Sequence, residues 1–255
     1  MTGDRERDML AAADMLLDAR RTGNYIADLP EELRPVNAEE IDYIQDAIAE
    51  AYGEIGGYKI GAPNLESTPT FAPMPLAWIA PSGCTLTGDR WRYRVLEGEI
   101  AFLVGEDLPP RDTPYTREEA LAAMASCHPA IEVLETAIID PALATPNTYL
   151  ADLQRHGGFV YGPAFDGWKT ADWNTERVTL TIDGSIRVER TGSNTSGDLL
   201  RLLPFLANEG AARTGGLRRG QWITTGSWTG NTPGPSSSSV DVEFSTAGSV
   251  HLRFA

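Results

Sequence analysis

Two glutamates one residue apart, Glu97 and Glu99, stand in the run LEGEIAFLVG at residues 96–105, just ahead of an apolar stretch. Read as a strand, residues 91–104 put Trp91, Tyr93, Val95, Glu97, Glu99, Ala101 and Leu103 on one face, because successive side chains alternate. Side by side the two carboxylates repel, and burying either one unpaired costs several kcal/mol. An exposed face would relieve this, as would pairing with Arg92 or Arg94, or a cation held between the carboxylates. Glu132, in the apolar β-branched run PAIEVLE, supplies a third carboxylate. Three carboxylates on neighbouring strands suit a hard divalent ion such as Mg²⁺, which takes oxygen ligands and keeps water positions open. Zinc has no comparable ligand set: His128, His156 and His251 are scattered and read as surface or structural residues, and Cys84 and Cys127 form no motif.

The rest of the chain must position these groups. Its 255 residues, 42% of them hydrophobic, suit one large domain or a domain with a helical appendage. A net charge of −15 argues against nucleic acid as a partner. No apolar run is long enough to span a bilayer, and the charged start MTGDRERDML has no secretory pattern, so a cytoplasmic protein away from membranes is expected.

Apolar spacing predicts helices over 4–22 and 37–52, the second opened by Asn37 with Glu40 as a capping box. Residues 1–55 read as a helical N-terminal segment packed on a mixed, mostly β domain at 56–255, an α+β organisation. Strands are expected at 58–61, 91–104, 128–138, 157–162, 221–226 and in the last two runs, and a helix is expected from Thr116 through Met124. Asp183-Gly184 marks a tight hairpin within 178–189. A helix at 198–208 carries Pro204, which predicts a kink or a late start.

In order, GYKIG, EGEIAFLVGEDLP, PAIEVLETAI, LADLQRHGGFVYG and LRRGQWITTGSWTG resemble the 2-oxopent-4-enoate hydratase and 4-oxalocrotonate decarboxylase branch of the fumarylacetoacetate hydrolase superfamily, over roughly residues 40–255. The resemblance implies a fumarylacetoacetate-hydrolase-like domain with a divalent ion, Mg²⁺ or Mn²⁺, on Glu97, Glu99 and Glu132. Glu135 is the nearby alternative, disfavoured by the family's P-A-[LI]-E pattern. It makes Lys59 a catalytic and substrate-contacting residue, with Thr225, Gly226 and Ser227 binding the substrate carboxylate. Asp152 gains a place near the site, structural or catalytic. The implied substrate is a 2-oxo or 2-hydroxydienoic acid, with a diverged, larger substrate of a specialised pathway opened by the departures below, and the implied reaction is hydration or decarboxylation through a metal-stabilised enolate. A homo-oligomer is implied as well.

Lys59, near apolar strands and a metal, is expected to have a lowered pKa suited to proton transfer. The chain departs from the family at three places. Asn64 follows YKIG in an unusual Ala-Pro-Asn and is assigned to substrate binding. Thr70 stands where the family has an acidic residue. Trp228 replaces a leucine and is expected to reshape the pocket, with the loop at 231–239 as a candidate border. Two alternatives remain open: a C–C bond hydrolase of the same superfamily, for which no Glu–His pair is evident, and a non-catalytic partner subunit that keeps the fold.

Overall fold

The computed structural model describes all 255 residues. Helices α1 (Gly3–Thr22) and α2 (Ala38–Glu50) open the chain. Gly23 ends α1 in the left-handed region at φ 77°, where a residue with a Cβ is strained. Asn37 caps α2 by accepting from the Glu40 amide, but the reciprocal half of the expected capping box is missing. Glu40 instead reaches past Asn37 to the Val36 amide and pairs with Arg5 of α1.

Thirteen strands succeed the helices. They are β1 (Ile55–Gly61), β2 (Thr70–Pro75), β3 (Ile79–Pro81), β4 (Cys84–Leu86), β5 (Val95–Val104), β6 (Met124–Leu134) and β7 (His156–Tyr161). After these come β8 (Arg177–Ile182), β9 (Ser185–Thr191), β10 (Trp222–Ser227), β11 (Thr232–Pro233), β12 (Ser239–Phe244) and β13 (Gly248–Phe254). Short helices α3 (Arg117–Ala122), α4 (Pro146–Ala151) and α5 (Leu202–Asn208) connect them. Pro204, third in α5, takes the late-start option, with a 3₁₀ turn before it. Asp183 and Gly184, at φ 50° and 75°, make the β8–β9 turn.

One sheet runs in the order β2-β1-β10-β5-β6-β7-β3, with β11 against the start of β5; the other runs β4-β13-β12-β8-β9. The main core lies between them: Leu96, Ile100, Phe102 and Val104 of β5 meet Val240 and Val242 of β12 and Val250 of β13. This packing explains the glycine between the two glutamates. A Cβ at Gly98 would sit 2.9 Å from Val242 Cγ1 and 3.1 Å from Thr229 Cγ2, so only glycine lets the sheets close while its neighbours face the other way. The organisation is α+β, as expected.

Several boundaries differ from the sequence reading. β5 begins at Val95 because Arg94 adopts φ 46° and breaks the extended run. β6 covers 124–134, so Met124 belongs to a strand and residues 135–138 leave the sheet. The loop at 231–239 borders the start of β5, through Pro233 opposite Val95 and the Gly234 amide on Arg94 O, and none of its residues lines the cavity over the glutamates. No helix is long and apolar enough to cross a membrane.

The N-terminal helices share a second core with later parts of the chain. Met9, Leu16, Ile44 and Ile48 pack with Trp78, Ala137, Ala151 and Leu153. An ion pair locks this arrangement. Arg20 Nε donates to Asp152 Oδ1 at 2.5 Å, and its other nitrogens donate to the carbonyls of Glu135, Asp152 and His156, each at 3.0 Å. Asp152 Oδ2 accepts from Thr136 Oγ1 and the Ala137 amide, both at 2.7 Å. Asp152 is therefore a structural clamp. Asp152→Ala would leave the Arg20 guanidinium buried and unpaired, and is expected to lower the unfolding free energy by about 3–5 kcal/mol in urea denaturation. A loss below about 1 kcal/mol would contradict this role.

Candidate metal centre and active site

Strand register assembles the site. Glu97 stands opposite Glu132 across β5–β6, and Glu99 stands opposite Ala130 on one side and Ser227 of β10 on the other. Lys59 of β1 pairs in register with Thr224 of β10. One carboxylate oxygen from each of Glu97, Glu99 and Glu132 falls within 4.8 Å of the others. Arg92 and Arg94 do not neutralise them: Arg92 donates to Ile138 O, and Arg94 to the carbonyls of Gly234 and Trp91. Glu135 is spent on the backbone amides of Tyr93 and Arg94, at 3.0 and 2.7 Å, and takes no part.

The two oxygens of Glu132 are used differently. Oε1 accepts from Lys59 Nζ at 2.6 Å and from His156 Nδ1 at 2.9 Å, whereas Oε2 is buried and has no protein partner. Glu99 Oε2 accepts from Thr224 Oγ1 and, at 3.1 Å, from the Gly226 amide. That amide is aimed by a bulge between Thr224 and Ser227, with Gly226 at φ 84°. A buried carboxylate oxygen without a donor, beside two further carboxylates, fits a cation with oxygen ligands; without one, each must hold its charge against the others.

Burial pushes Glu99 well above the usual carboxylate range, with Glu132 and Glu97 adding to it, and Glu97 shifts the same way, through burial and the charge of Glu132. Burial also acts on Glu132, but Lys59 and His156 more than offset it and hold that carboxyl well below its ordinary value. Burial pulls Lys59 down, yet the fields of Glu132, Glu97 and Glu99 outweigh it and raise the ammonium above the normal lysine range. The lowered lysine pKa is expected beside a bound metal; with the three carboxylates uncompensated, their summed field exceeds the desolvation cost and favours the ammonium. His156, fully buried and lowered chiefly by burial, is neutral. Because the ionised Glu132 can only accept, His156 Nδ1 carries the proton and Nε2 is left without a partner beside Trp78.

A cavity of about 370 Å³ opens over these groups. Lys59, Glu97, Glu99, Glu132, Gly226 and Ser227 line it, as do Thr70, Gln154 and Thr195. Three assigned residues do not. Asn64 is exposed, its Oδ1 accepting from the Glu66 and Ser67 amides and from Ser67 Oγ, a local turn that uses up its acceptor. Thr225 Oγ1 donates to Ile100 O at 2.6 Å, pointing away from the cavity. Trp228 is buried in the core against Phe244 and Trp173, because the bulge turns it away from the cavity.

The structure adds residues the sequence reading passes over. Thr224 is accessible to strand alternation alone. Thr195 comes from the loop after β9, where Asn194 Nδ2 donates to the carbonyls of Thr225 and Gly226 and Ser196 Oγ accepts from the Ala62 amide. Gln154 has no sequence signal: Leu153, Gln154 and Arg155 sit at φ 50°, 49° and 63°, three successive left-handed residues without a glycine. Such strain persists where the surroundings enforce it, here through the Arg20–Asp152 clamp. Gln154 O accepts from Lys59 Nζ at 3.2 Å. The Glu–His pair not evident in the sequence does exist, but His156 is sealed behind Glu132, where it orients the carboxylate and has no access to a pocket water.

A search against family models finds no match, and no curated protein matches in sequence. Solved structures do match. The 4-oxalocrotonate decarboxylase from Pseudomonas putida G7, complexed with magnesium and adipate, superposes with a TM-score of 0.85 at 21% identity, covering 100% of this chain and 99% of that one. The same enzyme complexed with calcium and acetate gives 0.83 at 22%, with the same coverage. The 5-carboxymethyl-2-hydroxymuconate delta-isomerase from Mycobacterium smegmatis gives 0.55 at 18%, over 79% of this chain and 80% of that one. The chain shares the fold of the decarboxylase along its whole length.

These ionisation shifts couple stability to pH. Glu97 and Glu99, raised in the folded state, favour folding when protonated, so their contribution is lost as pH rises above their ordinary value of 4.5; Glu132, depressed, loses its contribution only as pH falls below 4.5. In EDTA at about pH 7.5, Glu99→Gln is expected to melt a few degrees above wild type, with the gap closing towards about pH 5. Calorimetric melting showing the variant at or below wild type at the higher pH would contradict this.

Proposed function

We propose that this chain is a divalent-metal-dependent lyase of the fumarylacetoacetate hydrolase superfamily, acting on an enolisable 2-oxo acid by hydration or decarboxylation. The observation that carries this reading is the convergence of Glu97, Glu99 and Glu132 beside the cationic Lys59, with Glu132 Oε2 left without a donor. The shared fold with a decarboxylase complexed with magnesium supports it.

Glu97, Glu99 and Glu132 would hold the ion. When bound there, a divalent ion supplies Lewis acidity towards a carboxylate and an adjacent keto oxygen, the pair that a 2-oxo acid presents. The protein supplies the rest. Thr224 and the Gly226 amide fix Glu99, and His156 fixes Glu132 from behind, so the carboxylates need no reorganisation on binding. Lys59 faces the cavity as an ammonium, placed to donate a proton to a substrate carbon or to hold charge developing on oxygen. Ser227 and Thr195 offer hydroxyls and Gly61 an open wall.

Turnover of 2-hydroxypenta-2,4-dienoate and 4-oxalocrotonate tests the reading. One of the two should react in Mg²⁺ or Mn²⁺ and not in EDTA. Lys59→Met should lower kcat by about 10²-fold or more with little change in KM, as expected for loss of a proton-transferring group. His156→Ala should weaken metal binding about 10- to 100-fold, with His156→Asn, which keeps a donor at that position, recovering part of it. Equal turnover with and without metal would overturn the proposal.

A further inference from the structure

A separate cavity of about 210 Å³ lies behind the metal centre and shares no lining residue with the first. Trp78 forms one wall, its ring 5.8 Å from that of His156, the residue that donates to Glu132. Arg20 and Arg21 at the end of α1, Tyr52 just after α2 and Arg90 from the connection between β4 and β5 converge on it. Its buried polar groups are already satisfied: Thr136 Oγ1 donates to Asp152, and Glu135 accepts from two backbone amides.

Two of the three arginines carry no counter-ion. Arg20 pairs with Asp152. Arg21 gives one hydrogen bond, to Ala51 O at 3.1 Å, and Arg90 gives one, to Gly157 O, and neither forms an ion pair. Most N–H donors of both forks are therefore unused. Both side chains are exposed, so a solute can reach them. With Glu135 as the single acid lining the cavity, one positive charge is left over, on a chain whose net charge is −15. The walls are flat and stacked. Arg90 Cζ sits 4.6 Å from the Trp78 ring centroid and 4.4 Å from that of Trp91, and Arg21 Cζ lies 5.5 Å from that of Tyr52. The rings of Tyr52 and Trp78 are 4.5 Å apart. Such stacking holds the guanidinium planes in place before any ligand arrives.

The geometry points to a binding site for a small aromatic monoanion: a carboxylate taken by Arg21 and Arg90, on a planar ring that lies against Tyr52 and Trp78. An apolar cavity of ~150 Å³ is enough for benzene, so this volume suits one ring bearing one carboxylate. An ion with several negative charges would exceed the single positive charge on offer and meet Glu135. A neutral ring would forgo the charge-assisted hydrogen bonds, and an aliphatic acid would forgo the stacking. The site is independent of the metal-dependent reading, because its residues belong to another cavity.

Calorimetric titration of the Mg²⁺-loaded protein with benzoate, cyclohexanecarboxylate, benzamide and inorganic phosphate tests this. Benzoate should bind tightest, about two- to tenfold ahead of cyclohexanecarboxylate through ring stacking and at least about tenfold ahead of benzamide, which lacks the charge. Arg90→Gln should weaken benzoate about tenfold or more, and Arg21→Gln, on a side chain outside the packed core, about threefold or more. Both variants should keep their Mg²⁺ affinity within about twofold, since the two sites share no residue. Benzoate affinity should be the same in EDTA. Binding that vanishes in EDTA puts benzoate on the glutamate-held ion; that result, or an affinity unchanged in both variants, overturns the inference and leaves the metal reading standing. So does benzamide or phosphate that binds as tightly as benzoate, or benzoate that shows no saturable binding at millimolar concentration.

Discussion

Repulsion among three carboxylates is the constraint around which this molecule is organised. The β5–β6 register puts Glu97 opposite Glu132, and the two-residue period of β5 puts Glu99 beside them on the same face. No arginine pairs directly with these carboxylates, and of the arginines only Arg155 eases Glu97, through its charge. Lys59, His156, Thr224 and the Gly226 amide stabilise individual oxygens, and they do so unequally. Glu132 is driven towards the charged form, while Glu97 and Glu99 are driven towards the neutral one. Full ionisation of all three is therefore unfavourable without a positive charge between them, which is the electrostatic condition for holding a cation.

The supports reach far along the chain. Gly98 lets the second sheet press against the back of β5, which fixes both glutamates from below. Arg20, at the end of the first helix, grips Asp152 and the carbonyls around it. That grip holds the left-handed turn whose Gln154 carbonyl meets Lys59. The N-terminal helices are therefore part of the site's foundation.

The glutamates are legible in the sequence because strand alternation is a local rule, and the α+β outline because helix spacing and the Asp183-Gly184 turn are local too. The features that escape it are non-local. Lys59 reads as lowered beside a metal and apolar strands, whereas the opposing field of three uncompensated carboxylates depends on pairing across four strands. Trp228 and Thr225 read as pocket residues because a bulge at Gly226, invisible in the sequence, shifts the alternation that would point them inward. Asn64 satisfies its own loop. His156 meets Glu132 only across the β6–β7 pairing, where the register slips between Val133 and Leu134.

The most direct measurement of the central claim is anomalous diffraction from crystals grown in Mn²⁺. A single peak with one oxygen each from Glu97, Glu99 and Glu132 about 2.0–2.2 Å away is the predicted result, with Glu132 using the oxygen that Lys59 and His156 leave free. No peak at saturating Mn²⁺, or a peak held by other side chains, would contradict it.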